Sequence, residues 1–160
     1  MLLTALGCDW SAGEAVIYGN YGDVTRGSLK YGARHGQWNL YFDGTLRTAE
    51  QWKNGRRHGL SISWYDSGAL LLDTRYQNGL FHGRMRVFNS DGTLTELGWL
   101  RHGRRHGTWC EWYDNGRIKR VAEYSRDRLR WSETPATRPC PSTQGDGAQH
   151  RDPSYRVYER

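Results

Sequence analysis

At 160 residues, with 36% of them hydrophobic and a mean hydropathy of −0.89, the chain is the size of one domain. It is too poor in apolar residues for a thick core but adequate for a single-layer sheet, and no run approaches the ~20 apolar residues of a membrane span. A formal net charge of +6 makes an acidic partner plausible, and three scattered cysteines, an odd number, indicate no disulfide framework.

The chain begins Met1-Leu2-Leu3-Thr4-Ala5-Leu6-Gly7-Cys8. A small residue before a cysteine looks like the end of a bacterial lipoprotein signal, which would make Cys8 a lipidation site. Yet no Lys or Arg precedes it, as a secretory signal requires. Two readings stay open: a true start upstream with membrane anchoring through Cys8, or an accidental match in a cytoplasmic protein. Tyr18-Gly19-Asn20-Tyr21-Gly22-Asp23-Val24 is a partial echo of the glycine-rich units farther along the chain, so residues 1–29 read as an N-terminal segment with a degenerate capping repeat.

From about residue 30 a repeat takes over. His35-Gly36, His58-Gly59, His82-Gly83 and His106-Gly107 recur every 23 or 24 residues. Such a period is that of a repeat array and not of a single-core enzyme. A second glycine comes after each pair, in Asp43-Gly44, Asp66-Ser67-Gly68, Ser90-Asp91-Gly92 and Asp114-Asn115-Gly116. Asn-Gly and Asp-Gly supply the positive φ of tight turns, so each unit reads as one β-hairpin and the units as an antiparallel meander over 30–131. Turns are expected at Asp43-Gly44, Asn54-Gly55, Ser67-Gly68, Asn78-Gly79, Asp91-Gly92, His102-Gly103 and Asn115-Gly116.

The register names columns. Tyr41, Trp64, Phe88 and Trp112, with Leu46, Leu70, Leu94 and Ile118 and with Trp52, Tyr76, Leu100 and Tyr124, are expected to form the buried spine. By odd-even alternation Trp38, Ser61, Met85 and Trp109 lie on the sheet face opposite this spine, and that face is the candidate for recognition. Arg56-Arg57-His58 and Arg104-Arg105-His106, with Lys53 and Arg101, fall in equivalent inter-hairpin turns and stack along one edge, interrupted by Leu80-Phe81. Either this stripe is functional or it only blunts a solvated sheet edge. The partner-binding candidates are therefore Trp38, Met85, Trp109, Arg56, Arg57, Arg104 and Arg105. Single-stranded nucleic acid is a weaker alternative.

The histidine column does not suit a metal. Equivalent turns stand roughly 9–10 Å apart, whereas zinc ligands converge within about 2.1 Å of the ion. A ladder in which each ring bonds a neighbouring turn's backbone is the better expectation. No Gly-x-Ser-x-Gly, phosphate-binding glycine loop or Cys-His pair occurs, so no enzyme activity and no cofactor are expected. Cys110 lies in a strand and reads as a small core hydrophobe.

All four prolines, Pro135, Pro139, Pro141 and Pro153, lie beyond Trp131. Residues 132–160 read as a disordered tail, with Tyr155-Arg156-Val157-Tyr158 ordered at most transiently. Four arginines there (Arg138, Arg151, Arg156, Arg160) balance four acids (Glu133, Asp146, Asp152, Glu159), so the net charge belongs to residues 1–131.

The pattern Asn-Gly, two variable residues, His-Gly, an aromatic strand, Asp-x-Gly and an apolar residue resembles the variant MORN repeat of the bacterial YwqK-family antitoxin group. The resemblance covers about residues 30 to 131, and the segment Tyr124 to Trp131 departs from it by losing both glycines. It implies a non-catalytic interaction protein of the antitoxin or immunity type, with a toxin as partner. The more distant eukaryotic MORN proteins imply an alternative, a scaffold whose basic turns face an anionic membrane.

Overall fold

The computed structural model describes residues 12–134 together with 136, 137 and 140, so Cys8 and Tyr155 to Tyr158 lie outside the described residues. Twelve strands run in succession: β1 (Ala12–Tyr18), β2 (Asp23–Lys30), β3 (Ala33–Phe42), β4 (Thr45–Lys53), β5 (Arg56–Trp64), β6 (Leu70–Gln77), β7 (Leu80–Phe81), β8 (Gly83–Phe88), β9 (Leu94–Arg101), β10 (Arg104–Trp112), β11 (Ile118–Ser125) and β12 (Arg128–Glu133). They form one antiparallel sheet in which chain order is spatial order, with the two-residue β7 paired to β6 beside the main path. The expected all-β meander is present, and it begins with the β1–β2 hairpin and ends with β12.

All seven expected turns occur. At Asn54-Gly55 both residues have positive φ, 51° and 75°, and His102-Gly103 repeats this at 52° and 77°. Such two-residue turns match the twist of the strands they join. The wider loops share one hydrogen-bond scheme: Gly68 N–H donates to Tyr65 O at 3.0 Å, and Gly92 and Gly116 repeat the bond to Asn89 and Tyr113.

The His-Gly pairs are not in the turns. His35, His58 and His106 lie inside β3, β5 and β10, and the glycine after each takes a positive φ (73° at Gly36, 105° at Gly59, 74° at Gly107). There the pairing register slips, as between His106 and Cys110, so each pair marks a β-bulge. Arg56, Arg57, Arg104 and Arg105 likewise open strands instead of lying in turns. A backbone ladder ties neighbouring units at this level. Gly55 N–H donates to Arg34 O (2.9 Å), Gly79 to Arg57 O (2.8 Å), Gly103 to Phe81 O (2.8 Å) and Asp127 to Arg105 O (3.0 Å). Among the described residues the expected ring-to-backbone ladder is reduced to one bond, Asn78 N–H to His58 Nδ1 at 3.5 Å.

The expected spine and the expected recognition column are ordered differently from the sequence reading. Trp38 is 1% exposed and Trp109 6%, while Tyr41, Trp64, Phe88 and Trp112 are only half-buried. Each buried tryptophan lies on a glycine of the preceding strand. A Cβ on Gly27 would meet Trp38 Cδ2 at 2.3 Å, and one on Gly98 would meet Trp109 Cδ2 at the same distance. Each indole N–H is also satisfied, by Ser28 O (3.0 Å) and Trp99 O (3.2 Å).

On the other face Cys110 is fully buried and forms a disulfide with Cys140, Cα to Cα 6.0 Å. Leu97, Val121 and Cys140 cluster with it, and Leu94, Trp112, Ile118 and Ala136 pack around them. Ala136 N–H donates to Lys119 O at 3.3 Å. Cys110 is thus a core residue, but it is not free, and the absence of any disulfide expected from the odd cysteine count is corrected. Ser132 and Glu133 belong to β12, and Ala136 and Cys140 lie against the sheet, so the start of the span 132–160 is held in place. An odd cysteine count concealed one pair whose second member sits in a Pro-rich stretch.

Candidate functional site

Register places Trp38, Glu50, Ser61 and Thr74 opposite one another on successive strands, hence on one face. At the turn end of that face the arginine before each His-Gly lies on aromatic rings. Arg34 stands 4.4 Å from the Trp38 ring centroid and 4.9 Å from that of Trp52. Arg57 is 5.6 Å from Trp52 and 5.4 Å from Tyr76, and its Nε pairs with Glu50 at 2.9 Å. Glu50 also accepts from Trp52 Nε1 at 3.0 Å. In the third unit Phe81 occupies the arginine's position and stacks on Tyr76 at 4.5 Å. In the fourth, Arg105 lies 4.2 Å from the Tyr124 ring and 5.7 Å from Trp109. Leu80-Phe81 therefore interrupts the charge of the stripe without interrupting its stacking.

Planar guanidinium on an aromatic face is a cation-π contact that also fixes the direction of the N–H fork. The ladder is further ordered by shared acceptors. Tyr124 Oη accepts from Arg105 Nη1 and Arg120 Nη2, both at 3.2 Å, and Arg120 Nη1 reaches Glu111 at 3.0 Å. Burial alone would lower the Arg120 guanidinium, but Tyr124 and Glu111 outweigh it and hold its pKa above the usual value. Burial pushes the Tyr76 phenol up, with Glu50 adding to the rise and Arg57 opposing it.

Of the sequence candidates, the structure brings Arg57 and Arg105 into this ladder. Trp38 and Trp109 are its covered base and present almost no surface, and Met85 is half-buried against the Trp109 cluster. Arg56 is exposed beside the ladder, and Arg104 faces away from it into a cavity. Arg34 is not picked out by the sequence reading, and its signal is the Arg-His-Gly triplet at residues 34–36, which repeats that at 57–59. Trp52, Tyr76 and Tyr124, expected in the spine opposite Trp38 and Trp109, pack instead on the side of those tryptophans, with Trp52 and Tyr76 half-buried and Tyr124 6% exposed.

The cavity lies at the β9–β10 and β11–β12 turns and measures about 790 Å³. Arg101, Arg104, Arg126, Arg128 and Arg130 line it, with His102, His106 and Ser125. A hollow near the corresponding histidines of the first units, His35 and His58, is smaller, about 270 Å³, and carries a single cationic residue, Lys53. Among the described residues no group of three or more His, Cys, Asp or Glu converges for a metal.

Residues 105–125 are similar to the family described as MORN repeat variant. This segment spans most of β10, the wide loop and β11, which is one full hairpin, and the other units repeat its turns, bulges and backbone ladder. No curated protein matches the chain. The protein is thus a β-hairpin repeat array in which one hairpin is similar to the MORN repeat variant, a repeat type that is usually non-catalytic.

Proposed function

We propose that this protein works by stoichiometric binding of another protein, in the manner of an antitoxin or immunity protein, and that the binding surface is the arginine–aromatic ladder. The observation that carries this reading is the stacking of Arg34, Arg57 and Arg105 on Trp52, Tyr76 and Tyr124. Arg, Trp and Tyr are the residues on which interface energy concentrates, and side chains already held in place lose little entropy on docking. The tryptophans beneath serve as the foundation of this surface. Arg57→Glu with Arg105→Glu should weaken partner binding by about 2 kcal/mol or more and lower the association rate, measured by calorimetry and stopped-flow on the partner that co-purifies. Unchanged binding, salt-sensitive attachment to anionic liposomes in place of a protein partner, or substrate turnover by the purified protein would each overturn the reading.

The Cys110–Cys140 bond supports an oxidising compartment over the reducing cytoplasm, because buried disulfides persist where thiols are not continually reduced. Alkylation of free thiols in intact host cells tests this. Trapping of Cys110 and Cys140 as free thiols there would argue for the cytoplasm.

A further inference from the structure

The cavity at the C-terminal turns carries an unusual charge arrangement. Five arginines line it, and among the described residues no carboxylate does. Five other arginines of the sheet form ion pairs: Arg47 with Asp66, Arg57 with Glu50, Arg86 with Asp73, Arg105 with Asp127 and Arg120 with Glu111. Among the described residues Arg101, Arg104, Arg126, Arg128 and Arg130 make no ion pair. The carboxylate within their own turn, Asp127, is committed elsewhere, accepting from the Arg105 N–H at 2.8 Å. Moreover Arg101 and Arg104 stand directly opposite each other across β9 and β10. Like charges in that position destabilise a sheet unless an anion lies between them.

From this we infer that the cavity is a binding site for a compact polyanion bearing several adjacent phosphates, such as a condensed phosphate chain. A single phosphate can engage one or two guanidinium forks, whereas five forks converging from two hairpins suit an anion whose charges are closely repeated. The Ser125 hydroxyl and the ring N–H groups of His102 and His106 add further donors. Among the described residues no Phe, Tyr or Trp lines the cavity, so large stacking platforms for bases are lacking and phosphate groups are favoured over nucleobases. The site is separate from the ladder, since Arg105 does not line it, so either proposal can fail alone.

The experiment uses the full chain, with sodium tripolyphosphate, inorganic phosphate, and phosphatidylcholine vesicles doped with phosphatidylglycerol as probes in calorimetry. Tripolyphosphate should bind and raise the melting temperature, and inorganic phosphate should bind at least about tenfold more weakly. Arg128→Ala with Arg130→Ala, on the edge strand, and Arg101→Ala with Arg104→Ala, on the neighbouring hairpin, should each weaken tripolyphosphate by about tenfold or more. Lys53→Ala with Arg56→Ala removes the same charge elsewhere and should leave affinity within about twofold. Equal losses in all three variants would reduce the effect to net charge and overturn the site. So would equal affinity for phosphate and tripolyphosphate, or binding to vesicles through these arginines without binding to tripolyphosphate, which would assign them to a lipid surface.

Discussion

The first and last tryptophan repeats are built alike and surrounded differently. Arg34-His35-Gly36-Gln37-Trp38 and Arg105-His106-Gly107-Thr108-Trp109 share the bulge, the tryptophan on a glycine and the stacked arginine. Around the first, the neighbouring strand ends supply Lys30 and Lys53, and among the described residues the Arg34 side chain has rings as its partners. Around the last, the next turn is Arg126-Asp127, which pairs Arg105 and fills a cavity with cations, and the reverse face is tied down by Cys140. The repeat motif fixes the scaffold, and the hairpin next door decides what chemistry that scaffold displays.

The strongest way to break the comparison is to remove its common base. Trp38→Ala and Trp109→Ala should each cost about 3–5 kcal/mol in chemical denaturation, and Trp64→Ala, half-exposed, should cost clearly less. A larger loss for Trp64 would reverse the assignment of the two faces. The next effect belongs to the last repeat alone. Cys140→Ser opens a link spanning 30 residues and should cost about 3–4 kcal/mol by the loop-closure relation, with faster amide exchange in β9–β11 and little change in β3–β4. Uniform loosening of the whole sheet would show that the two ends are not separately held.

A smaller difference sharpens the contrast between the two arginines. Arg34→Ala and Arg105→Ala should each cost about 0.5–1 kcal/mol. Raising the salt should shrink the Arg105 effect, which includes the Asp127 pair, and leave the Arg34 effect nearly unchanged. Smallest is a gain: Arg126 holds φ at 52° where glycine is unstrained, so Arg126→Gly should raise stability by up to about 1 kcal/mol. Destabilisation there would mean that the Arg126 side chain supports the turn.

Turn chemistry makes the meander legible, because Asn-Gly and Asp-Gly need positive φ wherever they occur. The columns are legible as columns, and the alternation correctly separates Trp38 from Tyr41. Their depth is not. It depends on Gly27 and Gly98, strand-interior glycines whose missing side chains let a ring lie on the backbone, and such glycines signal close approach. The His-Gly pairs read as turn residues because a bulge glycine and a turn glycine share a positive φ. The disulfide is hidden because Cys140 lies among prolines in a stretch whose sequence reads as a tail, with nothing in its composition to set it against β10. The cavity is hidden because Arg126, Arg128 and Arg130 sit in a terminal unit that has lost its glycines and reads only as a worn cap.

Gly27 precedes Trp38 by eleven residues, and Gly98 precedes Trp109 by eleven. Either partner changed alone is penalised, a larger residue at the glycine by overlap with the ring and a smaller one at the tryptophan by a void. The two positions are therefore inherited as a unit and can drift only together. Because eleven residues fit well inside one 23- or 24-residue period, a duplicated hairpin carries both halves of the fit with it. An array of this kind can lengthen by copying without having to solve its packing again.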